Sequence, residues 1–246
     1  MSGKRCKRLG VGSVVGNLVY ARTVPDEHFL RHLKRVIEWD IFTERLIGLY
    51  VGQGEVGRPP YEPALILKML LLSYLYNLSE RQTEVYVNDS LSAKCFLGLA
   101  VDETAPDHST LSAFKERIAD HGGEGSLKEL LKEIVAMALR QGVRFGTIQI
   151  VDSTHSVANV NVEKDERRQE KQGKPPRDEG ARWGVKHTRR YRDEQGRPQE
   201  QPEYFYGYKL HTSLNAEAQL ITSVVVTAGN APDGKQFGEL VTRDAE

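Results

Sequence analysis

Over roughly the first 140 residues apolar positions recur at intervals of three and four; beyond Gly142 to Phe145 they recur at two. The spacing predicts a helical half followed by a strand half. Phe29, Leu30, Leu33, Val36 and Ile37, behind Asp26, form one face of an amphipathic helix. A shorter helix is predicted over Ile41 to Leu49. Gly57, Pro59, Pro60 and Pro63 then break the chain, with Pro63 in the first turn of an apolar helix that continues to about Leu78. Ser79 with Gln82 three residues on has capping-box spacing and predicts a new helix reaching about Phe96. Pro106-Asp107-His108-Ser109-Thr110 is another cap-rich start, ahead of Leu111, Phe114 and Ile118. Ser126 with Glu129 opens a further helix that stops at Gly142.

Thr147 to Asp152 alternates, so Ile148, Ile150 and Asp152 share one side of a strand that Asp152 is expected to end. From Asn161 to Glu203 apolar residues nearly vanish, which predicts an exposed polar insertion. Tyr204 to Leu214 and Gln219 to Thr227, joined by Asn215-Ala216-Glu217-Ala218, read as an antiparallel hairpin. Phe237, Leu240 and Val241 begin one more helix. The expected fold class is α+β: an all-helical part over 23–142, then three strands and the start of a helix over 143–246, with the insertion at 161–203. Residues 1–22, carrying Lys4, Arg5, Lys7 and Arg8, read as a loose basic arm.

Composition narrows the reading. The 246 residues are 39% hydrophobic and 28% charged, the profile of a globular chain. A chain of this length buries about 70% of its unfolded surface without a disulfide or metal staple. Thirty-four basic residues balance 34 acidic ones, which excludes a wholesale polycation and leaves any nucleic-acid partner to local patches. Cys6 and Cys95 have no paired spacing and read as free thiols of a cytoplasmic protein. The apolar run Ala64 to Leu78 carries Lys68 and Asn77 and is shorter than the ~20 residues a bilayer needs, so no membrane partner is expected. The histidines are scattered without zinc-ligand spacing.

Several stretches together resemble the DDE transposases of bacterial insertion sequences, with an InsH-type helical amino-terminal domain and an RNase H-like core. In the helical half these are Val24-Pro25-Asp26-Glu27-His28, Gly57-Arg58-Pro59-Pro60-Tyr61-Glu62-Pro63, Ser79-Glu80-Arg81, Phe96-Leu97-Gly98-Leu99 and Pro106 to Leu111. They are followed by Val151-Asp152-Ser153-Thr154, Phe205-Tyr206-Gly207-Tyr208-Lys209-Leu210-His211 and Val226 to Asp233. The resemblance implies DNA strand cleavage and transfer at the element's terminal inverted repeats. Three carboxylates would hold two divalent cations, magnesium by preference, about 3.5 to 4 Å apart. Asp152 fits the first carboxylate and is the expected catalytic and metal-binding residue.

The chain departs from the family pattern after that point. The second carboxylate, in an Asp-x-x-Tyr context, and a later helical glutamate have no match, so the chain reads as carboxy-terminally truncated and unable by itself to cut or join DNA. Asp233, with Asn230, reads as helix-start chemistry, and Asp244 and Glu246 lie outside the motif. DNA contact is expected from Arg182, Lys186, Arg189, Arg190 and Arg192, interleaved with Trp183 and Tyr191, although such a run also suits a solvated face. Lys209 and His211 share one strand face and are candidates for phosphate contact. A helix-turn-helix around Leu78 and Ser79 would aim Arg81 and Gln82 at base edges, while a plain helical core fits the same pattern. The expected partners are DNA and a second copy of the chain or a full-length transposase. The alternatives to a transposase are a non-catalytic DNA-binding or inhibitory fragment and a decayed relic.

Overall fold

A computed structural model describes Cys6 and residues 14–50 and 59–241. The basic arm residues Lys4, Arg5, Lys7 and Arg8, the break at Gly57 and Arg58, and Asp244 and Glu246 lie outside the described residues. The chain divides into two compact units, Met1–Glu133 and Ile134–Glu246. The class is α+β: helices first, then an antiparallel sheet.

The first unit contains α1 (Val14–Thr23), α2 (Phe29–Val36), α3 (Trp39–Leu46), α4 (Pro63–Leu75), α5 (Glu80–Asp89), α6 (Leu91–Leu97) and α7 (His108–Arg117), with α8 (Gly123–Arg140) running across its boundary. Residues 14–22, expected as part of a loose arm, form α1 instead. Tyr20 anchors that helix: it is buried, and its hydroxyl donates to Leu99 O at 2.9 Å. The core is built from Leu30, Phe42, Leu46, Ile66, Met69, Leu72, Phe96 and Phe114. Local sequence chemistry sets the helix starts. Ser79 and Gln82 complete the reciprocal capping box of α5, and the Asp107 carboxylate accepts from Thr110 N at the start of α7. The helix predicted from Ser79 to Phe96 is two helices, because Ser90 is extended, ends α5, and accepts from Ala93 N to start α6.

In the second unit β1 (Gln149–Val157), β2 (Arg182–Arg192), β3 (Pro198–Asn215) and β4 (Leu220–Ala228) form one antiparallel sheet. This is four strands rather than the expected three. The polar insertion is not a loop: it folds as α9 (Val162–Gln172) and β2, and its last residues belong to β3. β3 organises the sheet. Over Gly207–Asn215 it pairs with β1, over Tyr208–Asn215 with β4, and over Pro198–Gly207 with β2. Gly207 faces both Val157 and Arg182, so β2 and β4 follow one another along the same side of β3.

Three glycines make that junction. A Cβ on Gly207 would lie 2.0 Å from Ser156 O, one on Gly184 2.1 Å from Gly229 O, and one on Gly229 2.5 Å from Arg182 O. Backbones therefore approach around the buried Phe205 ring more closely than any side chain allows.

Candidate active site and nucleic-acid interface

Asp152 lies in the middle of β1, not at its end, because the polar run Ser153 to Ser156 continues the ladder against Lys209–His211 and beyond. Its side chain is exposed, and its Oδ1 accepts from Ser153 N at 2.8 Å. The register puts Asp152 opposite Thr212, on the sheet face that also carries Ile150, Thr154 and Leu210. Ile148 and Ile150, which alternate with it, are 67% and 51% exposed.

The opposite face gathers a different set. Ser153, His155, Lys209, His211, Val225 and Thr227 lie there by register. The His211 imidazole is 1% exposed, and its Nε2 is 2.9 Å from Thr227 Oγ1. The Lys209 ammonium donates to Ala231 O at 3.0 Å and to Asp233 Oδ1 at 2.9 Å. Asp233 also accepts from the Ser153 hydroxyl and lies 4.0 Å from His211 Nδ1. The hydrogen bond from Lys209, more than its charge, Ser153 or His211, holds the Asp233 carboxyl below the usual carboxylate range. One expectation is thereby corrected. Asp233 begins a 3-10 turn (Asp233–Gln236) without a capping hydrogen bond and instead reaches back across the sheet to Lys209. Of the two candidates for phosphate contact, His211 is buried in the sheet packing and Lys209 is held by two internal acceptors.

The cations of the insertion are distributed over β2. The Arg182 guanidinium is spent on Glu179 O and Ala181 O. Lys186 pairs with Glu203 at 3.1 Å, and Arg190 with Glu200 at 2.8 Å. Trp183 packs against Tyr206, ring centroids 5.5 Å apart. The Asp178 carboxylate accepts from Gly180 N, Ala181 N and the Tyr208 hydroxyl, and this bond pushes the Tyr208 phenol up to about 12. An open cleft of about 510 Å³ lies beside α9, lined by Asp165, Pro175, Pro176, Trp183 and Tyr206; it does not include Asp152. In the helical unit Arg81 is exposed at the start of α5. The Gln82 Oε1 accepts from Ser79 N and Oγ in the capping box.

Among the described residues no group of three or more His, Cys, Asp or Glu side chains is placed to hold a metal. Asp152 offers one exposed carboxylate, a hard oxygen donor suited to a divalent cation but a single one of the three that a two-metal site requires. Ser153, Thr227 and Asp233 all lie in stretches that carry the family resemblance, but their convergence is not legible there, since they meet only through the sheet register.

A helical unit followed by an antiparallel sheet with a carboxylate in its first strand defines a class of protein. Residues 18–117 match the family model of a transposase domain (DUF772), and residues 144–244 match that of a transposase DDE domain. The chain belongs to the DDE transposases of insertion sequences. Members of this family bind DNA and use divalent metal ions. No solved structure matches the chain. No helix among the described residues is long and apolar enough to cross a membrane.

Proposed function

We propose that this chain acts on the terminal inverted repeats of its own element, in the cytoplasm, as the DNA-binding and first-carboxylate part of a DDE strand-transfer machinery with an RNase H-like core. The division at 23–142 and 143–246 then separates a helical DNA-docking domain from the catalytic sheet. The observation that carries the reading is Asp152, an exposed carboxylate in the first strand of the segment matched to the DDE domain. Magnesium, when bound, would activate an attacking oxygen and stabilise a leaving one. Asp152 would be one ligand, with its Oδ1 oriented by Ser153 N.

On this reading the two-metal site is incomplete among the described residues, because no second and third carboxylate join Asp152 there. Catalysis would draw the remaining carboxylates from outside these residues, for example from a full-length transposase. DNA contacts are assigned to Arg81 of α5 and to the cations of β2, Arg182, Lys186, Arg189 and Arg190, with Arg189 the member not committed to a protein partner named above. The test is a nicking assay on supercoiled plasmid carrying the element's ends, with magnesium. The expected result is retarded DNA without nicks. Magnesium-dependent nicking that disappears in Asp152→Asn would overturn the incompleteness, and failure to retard any duplex would overturn the transposase reading.

A non-catalytic fragment that occupies the ends or poisons full-length enzyme is the second reading. It is favoured by the same isolation of Asp152 from other carboxylates. Inhibition of full-length transposase by the Asp152→Asn chain as strongly as by the parent would distinguish it.

A further inference from the structure

Lys68 lies on the core side of α4. Its neighbours one helical turn away on the same stripe, Ala64, Leu65 and Leu72, are 2%, 5% and 0% exposed. Lysine enters such a stripe rarely, and then with its ammonium paired. Other lysines of the helical unit follow that rule: Lys34 donates to Cys95 O at 2.6 Å, Lys94 to Val101 O at 2.8 Å, and Lys115 pairs with Glu80. Among the described residues the half-buried Lys68 ammonium has neither a hydrogen-bond acceptor nor a carboxylate at ion-pairing distance, and stands instead over the Trp39 ring, 5.0 Å from its centroid.

Four groups complete the setting. Lys34 of α2 brings a second positive charge. Glu62, just ahead of α4, and Asp40 of α3 bring negative ones, each acting on Lys68 less than Lys34 does, and Glu62 already accepts from the Thr43 hydroxyl at 3.1 Å. Trp39 is buried, and its indole N–H meets no acceptor.

An amine drawn out of water and set beside another cation gives up its proton readily, and the neutral amine is a nucleophile. Burial first, and then Lys34, lower the Lys68 pKa to about 8. At about pH 7.5 roughly a quarter of this side chain is neutral, against about a thousandth of a lysine at the ordinary 10.5. Acylation also suits the site, because the resulting amide is uncharged and no longer resists burial. Its oxygen adds an acceptor beside a ring whose N–H lacks one.

We propose that Lys68 is an acylation site of the helical unit, modified at Nζ by direct reaction with an acyl phosphate. The neutral amine attacks the acyl carbonyl carbon and a C–N bond forms. The bond from that carbon to the phosphate oxygen breaks, phosphate leaves with the electron pair, and the amine proton passes to water. Lys34, the strongest charge acting on Lys68, favours a donor whose leaving group is anionic. The inference is independent of the transposase reading.

The test is treatment of the whole 246-residue chain with acetyl phosphate at about pH 7.5, in buffer and in about 6 M guanidinium chloride, with the occupancy of each lysine followed over time by peptide mass spectrometry. In buffer Lys68 should react about tenfold faster than the exposed Lys132 and Lys186, less than the ratio of neutral fractions because a less basic, half-buried amine is the weaker nucleophile. Unfolding should remove the difference. In Lys34→Gln the Lys68 rate should fall about threefold while that of Lys186 stays the same. Labelling of Lys68 no faster than that of Lys186 in buffer would overturn the site. A preference that persists in guanidinium chloride would trace it to local sequence rather than to the fold, and would overturn it equally. A parent-like Lys68 rate in Lys34→Gln would overturn the choice of donor. The comparison of buffer with denaturant needs no variant, and decides the matter even where Lys34→Gln does not fold.

Discussion

The Cβ position of Gly207 makes the shortest approach of any glycine in the sheet, and Gly207→Ala tests the close passage of β1 against β3 directly. The added methyl would lie 2.0 Å from Ser156 O and 2.9 Å from Ala158 N, both backbone atoms, so no side-chain rotation can relieve it. Ordinary contact begins near 3.4 Å. β1 must therefore move by more than an ångström at the Val157 to Gly207 register, and the Ala158 N to Tyr206 O bond of 2.9 Å is lost. Overpacking of this kind costs roughly 1–3 kcal/mol and a lost hydrogen bond about 1 more, giving about 3 kcal/mol together. Amide hydrogen exchange of the 149–158 segment, followed by mass spectrometry on the whole chain, reads this as acceleration of roughly 100-fold where exchange proceeds through opening of the sheet. Gly234→Ala is the control, since nothing lies within 4 Å of a Cβ there. Exchange of 149–158 in Gly207→Ala within about threefold of the parent would refute the close approach.

Three further outcomes are expected. Ser79→Ala removes the α5 capping box and lowers the urea midpoint of the helical unit, at a cost of about 1 kcal/mol, read by the emission of the buried Trp39. Burial first, and then Lys34, push the Lys68 ammonium down to about 8. The unfolded chain thus binds more protons than the folded one above that value, so stability should rise from about pH 8 toward 10. Lys68→Met should abolish that rise in urea titrations at stepped pH, and a rise that survives the substitution would refute the assignment. The depressed Asp233 carboxyl contributes stability above its unfolded value that is lost as the solution is acidified through its lower folded value. Asp233→Asn should flatten this acid limb, by less than about 1 kcal/mol because the side chain is more than half exposed.

Legibility of the sequence followed the range of the interactions. Ser79 with Gln82, Asp107, Pro63 and Gly142 act on backbone within four residues of themselves, and each marks the helix boundary it predicts to within a few residues. The hairpin of β3 and β4 was equally readable, because its turn and alternation are local. The break at Ser90 is hidden because the apolar period runs on across it. The strands of the insertion are not legible because β2 and the first half of β3 have almost no buried side chain to announce them; their order comes from the ladder and from cross-strand pairs such as Arg190 with Glu200. Alternation in β1 distinguished two faces but not which one is covered. The covered face holds His211, Ser213 and Asn215, whose polar atoms are satisfied by Thr227, Gln149 and Gly146, while Ile148 and Ile150 look outward. Asp233 finds Lys209 at 24 residues' separation, a distance at which no short motif speaks.

The two-sidedness of β1 would tie metal capture to association. Asp152 and Asp233 are on opposite sides of one sheet, and the face of Asp152 also carries the exposed Ile150. A surface that brought a further carboxylate to Asp152 across Ile150 would cover that side chain in the same event. Ion binding and apolar burial would then share a single equilibrium, each raising the affinity for the other by an equal factor.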